Sequence, residues 1–103
     1  MSFSIVKQED TLIVTLKDSS FDLSLISQQI DENCNHIIFD LLNLMSVSEA
    51  DFKNFTTFGN TNTINGSFVM VFKGSYNDDY AVVPSLEEAF DFIEMENIER
   101  MLK

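Results

Sequence analysis

The chain has 103 residues, 45% of them apolar, and 17 acidic side chains against 6 lysines and arginines, for a net charge of −11. That length makes one domain with a core of its own, and the apolar share excludes a disordered polypeptide. The negative field repels phosphate backbones and anionic lipid, which argues against nucleic acid and a membrane surface as partners.

Phe3 and Ile5, then Leu12, Val14 and Leu16, alternate with mostly polar neighbours, the period of a strand with one wet face. The polar group Gln8-Glu9-Asp10-Thr11 between them reads as a hairpin turn, without an Asn-Gly or Asp-Gly signature,. Ser19 and Asp22 have capping-box spacing, and Leu23, Ile26 and Ile30 fall at helical intervals, so a short helix is expected from about Phe21 to Glu32. Ile37–Leu41 and Phe68–Phe72 are apolar runs that do not alternate, as expected of strands covered on both faces. Between them, Ser48 and Asp51 form a second capping box, followed by Phe52, Phe55 and Phe58 on one helical face,. Gly59 is expected to end that helix, with a polar loop from Asn60 to Gly66. Tyr80-Ala81-Val82-Val83 reads as a last short strand, stopped by Pro84,.

Ser85 is an expected helix cap, with Glu87 and Glu88 at the positive end of the dipole. Leu86, Ala89, Phe90 and Ile93 make one apolar stripe,. Past Glu94 the stripe loses phase, because Met95, Ile98 and Leu102 fall on the opposite side of an ideal helix. Either the helix breaks near Glu94 and the tail wraps back over the domain, or a straight helix carries a second apolar stripe that docks on a neighbour. Self-association at −11 works against repulsion, so a wrapped tail or a weak homodimer is expected rather than an obligate one.

The order β-β-α-β-α-β-β-α predicts a single-domain α/β fold, an open mixed sheet with helices on its faces. The runs 37–41 and 68–72 should be parallel and central, with Phe39, Val69 and Val71 buried.

The inventory for catalysis is thin. One histidine, His36, rules out a multi-histidine metal site, and Cys34 and His36 alone do not make a zinc centre,. At i and i+2 on a strand those two would share a face without readily hydrogen-bonding, so no cysteine–histidine nucleophile pair is expected. None of the three glycines lies in a phosphate-cradling loop,. The acid pairs Glu87-Glu88 and Asp78-Asp79 read as solvated faces. The N-terminus has no basic leader or long apolar stretch, and the lone cysteine forms no internal disulfide. A cytoplasmic location and no cofactor are therefore expected.

Two segments are more specific. Ile37-Ile38-Phe39-Asp40-Leu41-Leu42-Asn43-Leu44 runs from a buried strand into Met45-Ser46-Val47-Ser48-Glu49-Ala50-Asp51-Phe52 at a helix start. Ala81-Val82-Val83-Pro84-Ser85-Leu86-Glu87-Glu88-Ala89-Phe90-Asp91-Phe92-Ile93 follows a short strand with a helix rich in acids. The first resembles the central motif of STAS domains, the anti-sigma-factor antagonist family, in which D-L-S-N-V leads to D-S-S-G-L; Asp40, Leu41, Asn43 and Leu44 match its first half. The second resembles that family's ending, V-P-T followed by E-E-A, a hydrophobic residue and D. The element order agrees along nearly the whole chain.

The resemblance implies a non-catalytic regulatory module that binds another protein, such as an anti-sigma-factor-like kinase. It puts the contact around Ser46, Ser48, Glu49 and Asp51. Two departures stand out. The position of the family's phosphorylated serine is Glu49, a permanent charge at a helix N-terminus, and the helix usual between the last two strands is replaced by a turn at Lys73–Asp79. Ser48 is expected as an N-cap, with a lesser possibility as phosphoacceptor. The alternatives are a homodimer joined through Met95, Ile98 and Leu102, and, more remotely, a small acid–base or ligand-binding enzyme with a deep polar pocket.

Overall fold

Alternation at the N-terminus makes a hairpin: β1 (Phe3–Gln8) pairs antiparallel with β2 (Thr11–Leu16), and Glu9 turns the corner at a φ of 56°. The computed structural model describes residues 3–18, 21–30, 34–63, 66–74 and 80–102. The hairpin is followed by α1 (Leu23–Ser27), β3 (His36–Asp40), α2 (Glu49–Asn62), β4 (Phe68–Val71), β5 (Val82–Val83) and α3 (Leu86–Met101). The chain is thus one α/β domain with the expected element order.

The five strands lie in the order β1-β2-β3-β4-β5. Only the β1–β2 pair is antiparallel; β2, β3, β4 and β5 run parallel, so the sheet is open and mixed. β3 is central, and β3 and β4 pair in parallel as their unbroken apolar runs predict,. Phe39, Val69 and Val71 are fully buried.

Side chains alternate across the pleat into two cores. One face carries Leu12, Val14, Leu16, Ile37, Phe39, Phe68 and Met70, covered by Ile26 of α1 and by Phe52 and Phe55 of α2. The other carries Ile13, Ile38, Val69 and Val71, covered by Ala89 and Ile93 of α3.

Several expectations change. α1 is a single short helix: Asp22 is its N-cap, accepting from the Ser24 N–H at 2.8 Å, and it ends at Ser27. Ile26 is its one buried residue, and a helix this short propagates poorly without more packing. Ser19 and residues 31–33, part of that expectation, lie outside the described residues. α2 does not stop at Gly59 but runs on to Asn62. Gly59 is buried there because the Phe68 ring lies against its backbone: an added Cβ would stand 2.1 Å from Phe68 Cγ. β5 begins at Val82 rather than Tyr80, with its ladder limited to Met70 opposite Val82 and Val71 opposite Val83; the Tyr80 ring stacks on Phe52 with centroids 5.6 Å apart. The turn expected between the last two strands falls partly on residues 75–79, outside those described.

α3 has no break near Glu94. It is one continuous helix from the Ser85 cap, whose Oγ accepts from the Glu88 N–H at 3.2 Å, to Met101. The wrapped tail is therefore replaced by the straight helix, and its second stripe faces outward. Arg100 holds the last turn down by donating to Gly66 O at 3.3 Å and Ser67 Oγ at 3.0 Å. No helix among the described residues is long and apolar enough to cross a membrane.

Candidate functional site

β2, β3 and β4 all end at one edge of the sheet, and in open α/β sheets the crevice outside the carboxyl ends of the strands is where ligands gather. Asp40 ends β3 and folds the chain over, its Oδ1 accepting from the Leu42 N–H at 3.1 Å,. Leu41 is fully buried, with its N–H donating to Val71 O at 2.9 Å, and the Leu44 N–H donates to Leu41 O at 3.0 Å. Leu44 and Val47 pack on the core beside Leu41. Anchors at 41, 44 and 47 turn the intervening side chains outward: Leu42 is 44% exposed and Met45 completely so. Beside Met45, a groove of about 330 Å³ is bounded by Lys17, Asn43, Leu44 and Ser46.

The loop ends in the predicted capping box. The Asp51 N–H donates to Ser48 Oγ at 3.1 Å, and the Ser48 N–H donates to Asp51 Oδ2 at 3.3 Å. Ser48 is thus an N-cap, and its hydroxyl is engaged with the helix it starts. Ser48→Ala is expected to lower stability by about 1 kcal/mol in urea unfolding. Glu49, exposed in the first turn, accepts from the Tyr80 hydroxyl at 3.1 Å. Tyr80 is in turn braced by its stacking on Phe52, which also meets Phe72 edge-on at 5.5 Å. The carboxylate therefore lies beside a rigid aromatic group at the positive end of α2. Ser46, Ser48, Glu49 and Asp51 lie together on one loop and helix turn. Sequence reasoning missed Tyr80, Leu42 and Met45. The signal for the last two was two apolar residues in a loop that neither strand nor helix periodicity accounts for.

The opposite edge of the sheet holds a second polar cluster. His36 is only 4% exposed. Its Nδ1 accepts from the Ser67 N–H at 3.0 Å, which leaves the ring proton on Nε2, 3.6 Å from Asp10 Oδ2,. Asp10 is oriented by Asn35, whose Nδ2 donates to the same oxygen at 3.0 Å. Cys34 and His36 do not share a face as expected: β3 starts at His36, and Cys34 lies in the α1/α2 core while His36 lies towards Phe90 and Ile93 of α3. No group of three histidine, cysteine or acidic side chains fit to hold a metal ion occurs among the described residues.

Burial pushes the His36 imidazole below its ordinary value of 6.5; the Arg100 cation adds to this, and Asp10 and Glu96 oppose it. The unfolded chain then binds the proton more tightly than the folded one. Stability is complete above about pH 6.5 and is lost as pH falls through that value towards the lower folded one. Urea unfolding between about pH 7.5 and about pH 5.5 should show this slope in the wild type. It should be much reduced in His36→Asn, whose amide oxygen takes the place of Nδ1; an equal slope in both would assign it to other groups.

Neither a protein-family model nor a curated protein matches this chain.

Proposed function

We propose that this protein is a non-catalytic regulatory module that binds another protein through the carboxyl edge of its sheet, in the manner of the anti-sigma-factor antagonists its sequence resembles. The observation that carries this reading is the pairing of outward-facing Leu42 and Met45 with the braced acid Glu49. Met45 fully in water and Leu42 half exposed on the same loop, with their neighbours Leu41, Leu44 and Val47 taken up by the core, give a partner an apolar contact beside that acid,. In the resembling family a phosphate at the position of Glu49 repels or reorders a partner kinase. Here a carboxylate supplies a lasting −1 there, so the module acts without a phosphorylation cycle. The burial of Cys34 on one face and His36 on the other speaks against a nucleophile pair.

The partner of this reading is a cytoplasmic protein with a basic, partly apolar surface, such as an anti-sigma-factor-like kinase, drawn by the −11 field,. The test is photo-crosslinking from position 45 in the native cell, followed by calorimetry with the purified partner. Met45→Asp and Glu49→Lys should each weaken binding at least about tenfold, a loss of about 1.4 kcal/mol. A partner indifferent to both substitutions would overturn the reading. So would high phosphate occupancy at Ser48 in protein from its native cell, because the switch would then survive one residue away.

A further inference from the structure

The outer face of α3 is acidic along its first half and mostly apolar along its second, where exposed Glu99 flanks the apolar residues. Glu88, Asp91, Met95, Ile98 and Leu102 follow one another at intervals of 3, 4, 3 and 4 residues, and all are exposed. That is the spacing of a coiled-coil seam, the row a helix presents to another helix lying along it. Its second half is strongly apolar, with Met95 64%, Ile98 51% and Leu102 81% exposed, and Met101 beside them at 82%. Its first half is anionic, with exposed Glu87 and Glu94 alongside Glu88 and Asp91. The one basic residue described on this helix, Arg100, is turned away to Gly66, Ser67 and Asn97.

We infer that this seam is a docking site for a basic amphipathic helix of a partner protein, with lysines or arginines opposite Glu88 and Asp91 and apolar side chains opposite Met95, Ile98 and Leu102. The charge order makes a second copy of α3 a poor occupant of the whole seam. Antiparallel pairing would set the acids of each copy against the apolar end of the other, and parallel pairing would set acid against acid. In both cases carboxylates are desolvated without a cation, which is costly. A basic helix meets both halves at once. The surface is independent of the one around Glu49. Arg100 ties the apolar end of the seam to Ser67, ahead of β4 at the amino edge of the sheet, whereas Glu49 is at the carboxyl edge.

The probe is a fluorescein-labelled synthetic helix of leucine, lysine and alanine. It carries lysines at the seam positions of one half and leucines at those of the other. A permuted peptide of the same composition lacks the spacing. Anisotropy with the full chain should give micromolar binding of the first peptide and at least tenfold weaker binding of the second. Met95→Gln and Ile98→Gln, which keep the net charge, should each weaken the first peptide at least tenfold, with unchanged circular dichroism. Asp18→Asn, a charge removed elsewhere, should not, and Glu88→Lys should. Equal binding of the two peptides, or no effect of either glutamine variant, would reduce the attraction to net charge and overturn the inference. So would a wild-type dimer in sedimentation that Ile98→Gln dissociates, since a second copy would then occupy the seam. Glu49→Lys leaves this peptide's affinity within about twofold if the two surfaces are separate, so failure here and failure of the carboxyl-edge reading are told apart.

Discussion

Phe39→Ala is expected to lower stability by about 3–5 kcal/mol, the cost of emptying a well-packed aromatic site. The residue is fully buried on the central strand, with its ring centroid 5.4 Å from Phe55, 5.5 Å from Phe58 and 5.2 Å from Phe68. These partners come from α2 and β4, so the cavity would be lined by rings fixed on two different elements. β3 is itself held on both sides, by β2 and by β4, and cannot move in to fill the space. Native domains have about 5–15 kcal/mol in total, so the variant should be partly or wholly unfolded at 37 °C. Urea titration followed by circular dichroism measures this; a loss below about 2 kcal/mol would mean that the core collapses around the gap. Val6→Ala, on an exposed position of β1, is the control and should change little,.

Gly59→Ala sets two effects of opposite sign against each other. Alanine in a helix interior is favoured over glycine by about 1 kcal/mol. Against this, the new Cβ would stand 2.1 Å from Phe68 Cγ and 2.2 Å from Cδ1, at the root of the ring rather than at a movable tip. Phe68 cannot retreat, because it packs edge-on against Phe39 and its strand is paired with β3. Overpacking of this kind costs about 1–3 kcal/mol and here belongs at the upper end, so the net expectation is destabilisation by about 2 kcal/mol. Gly59→Val, which adds branched bulk at the same point, should cost more. An alanine variant more stable than the wild type would show that α2 stands further from β4 than described.

The start of α2 was legible because everything that makes it is local. Ser48 and Asp51 exchange hydrogen bonds three residues apart, and no distant group is needed,. The inner strands were legible for a similar reason. An apolar run such as Phe68–Val71 has no wet face to keep, so it can only lie between two covering layers,. Ser46, Ser48, Glu49 and Asp51 lie on one loop and helix turn simply because they are neighbours in the chain. The hold of Tyr80 on Glu49 was not visible, since the two residues are 31 positions apart and nothing in either pattern marks the pair. The His36 cluster was hidden in the same way, being assembled from the β1–β2 turn, the start of β3, the residue before β4 and the end of α3.

The amino-acid order by itself determined the number and kind of the elements, which of them are central, and where α2 and α3 begin. Periodicity and capping act over a few residues and do not wait for a fold. Where elements end, and what their outer faces look like, was decided only in three dimensions. Gly59 reads as a helix stop until Phe68 is seen lying on it, because glycine serves both a helix end and a close approach,. The late phase shift in α3 reads as a break until the helix is seen to run on unbroken to Met101, with Arg100 tied to Gly66 and Ser67 and Met95, Ile98 and Leu102 in water. Both involve contacts between segments far apart in sequence, and local propensity carries no information about such contacts.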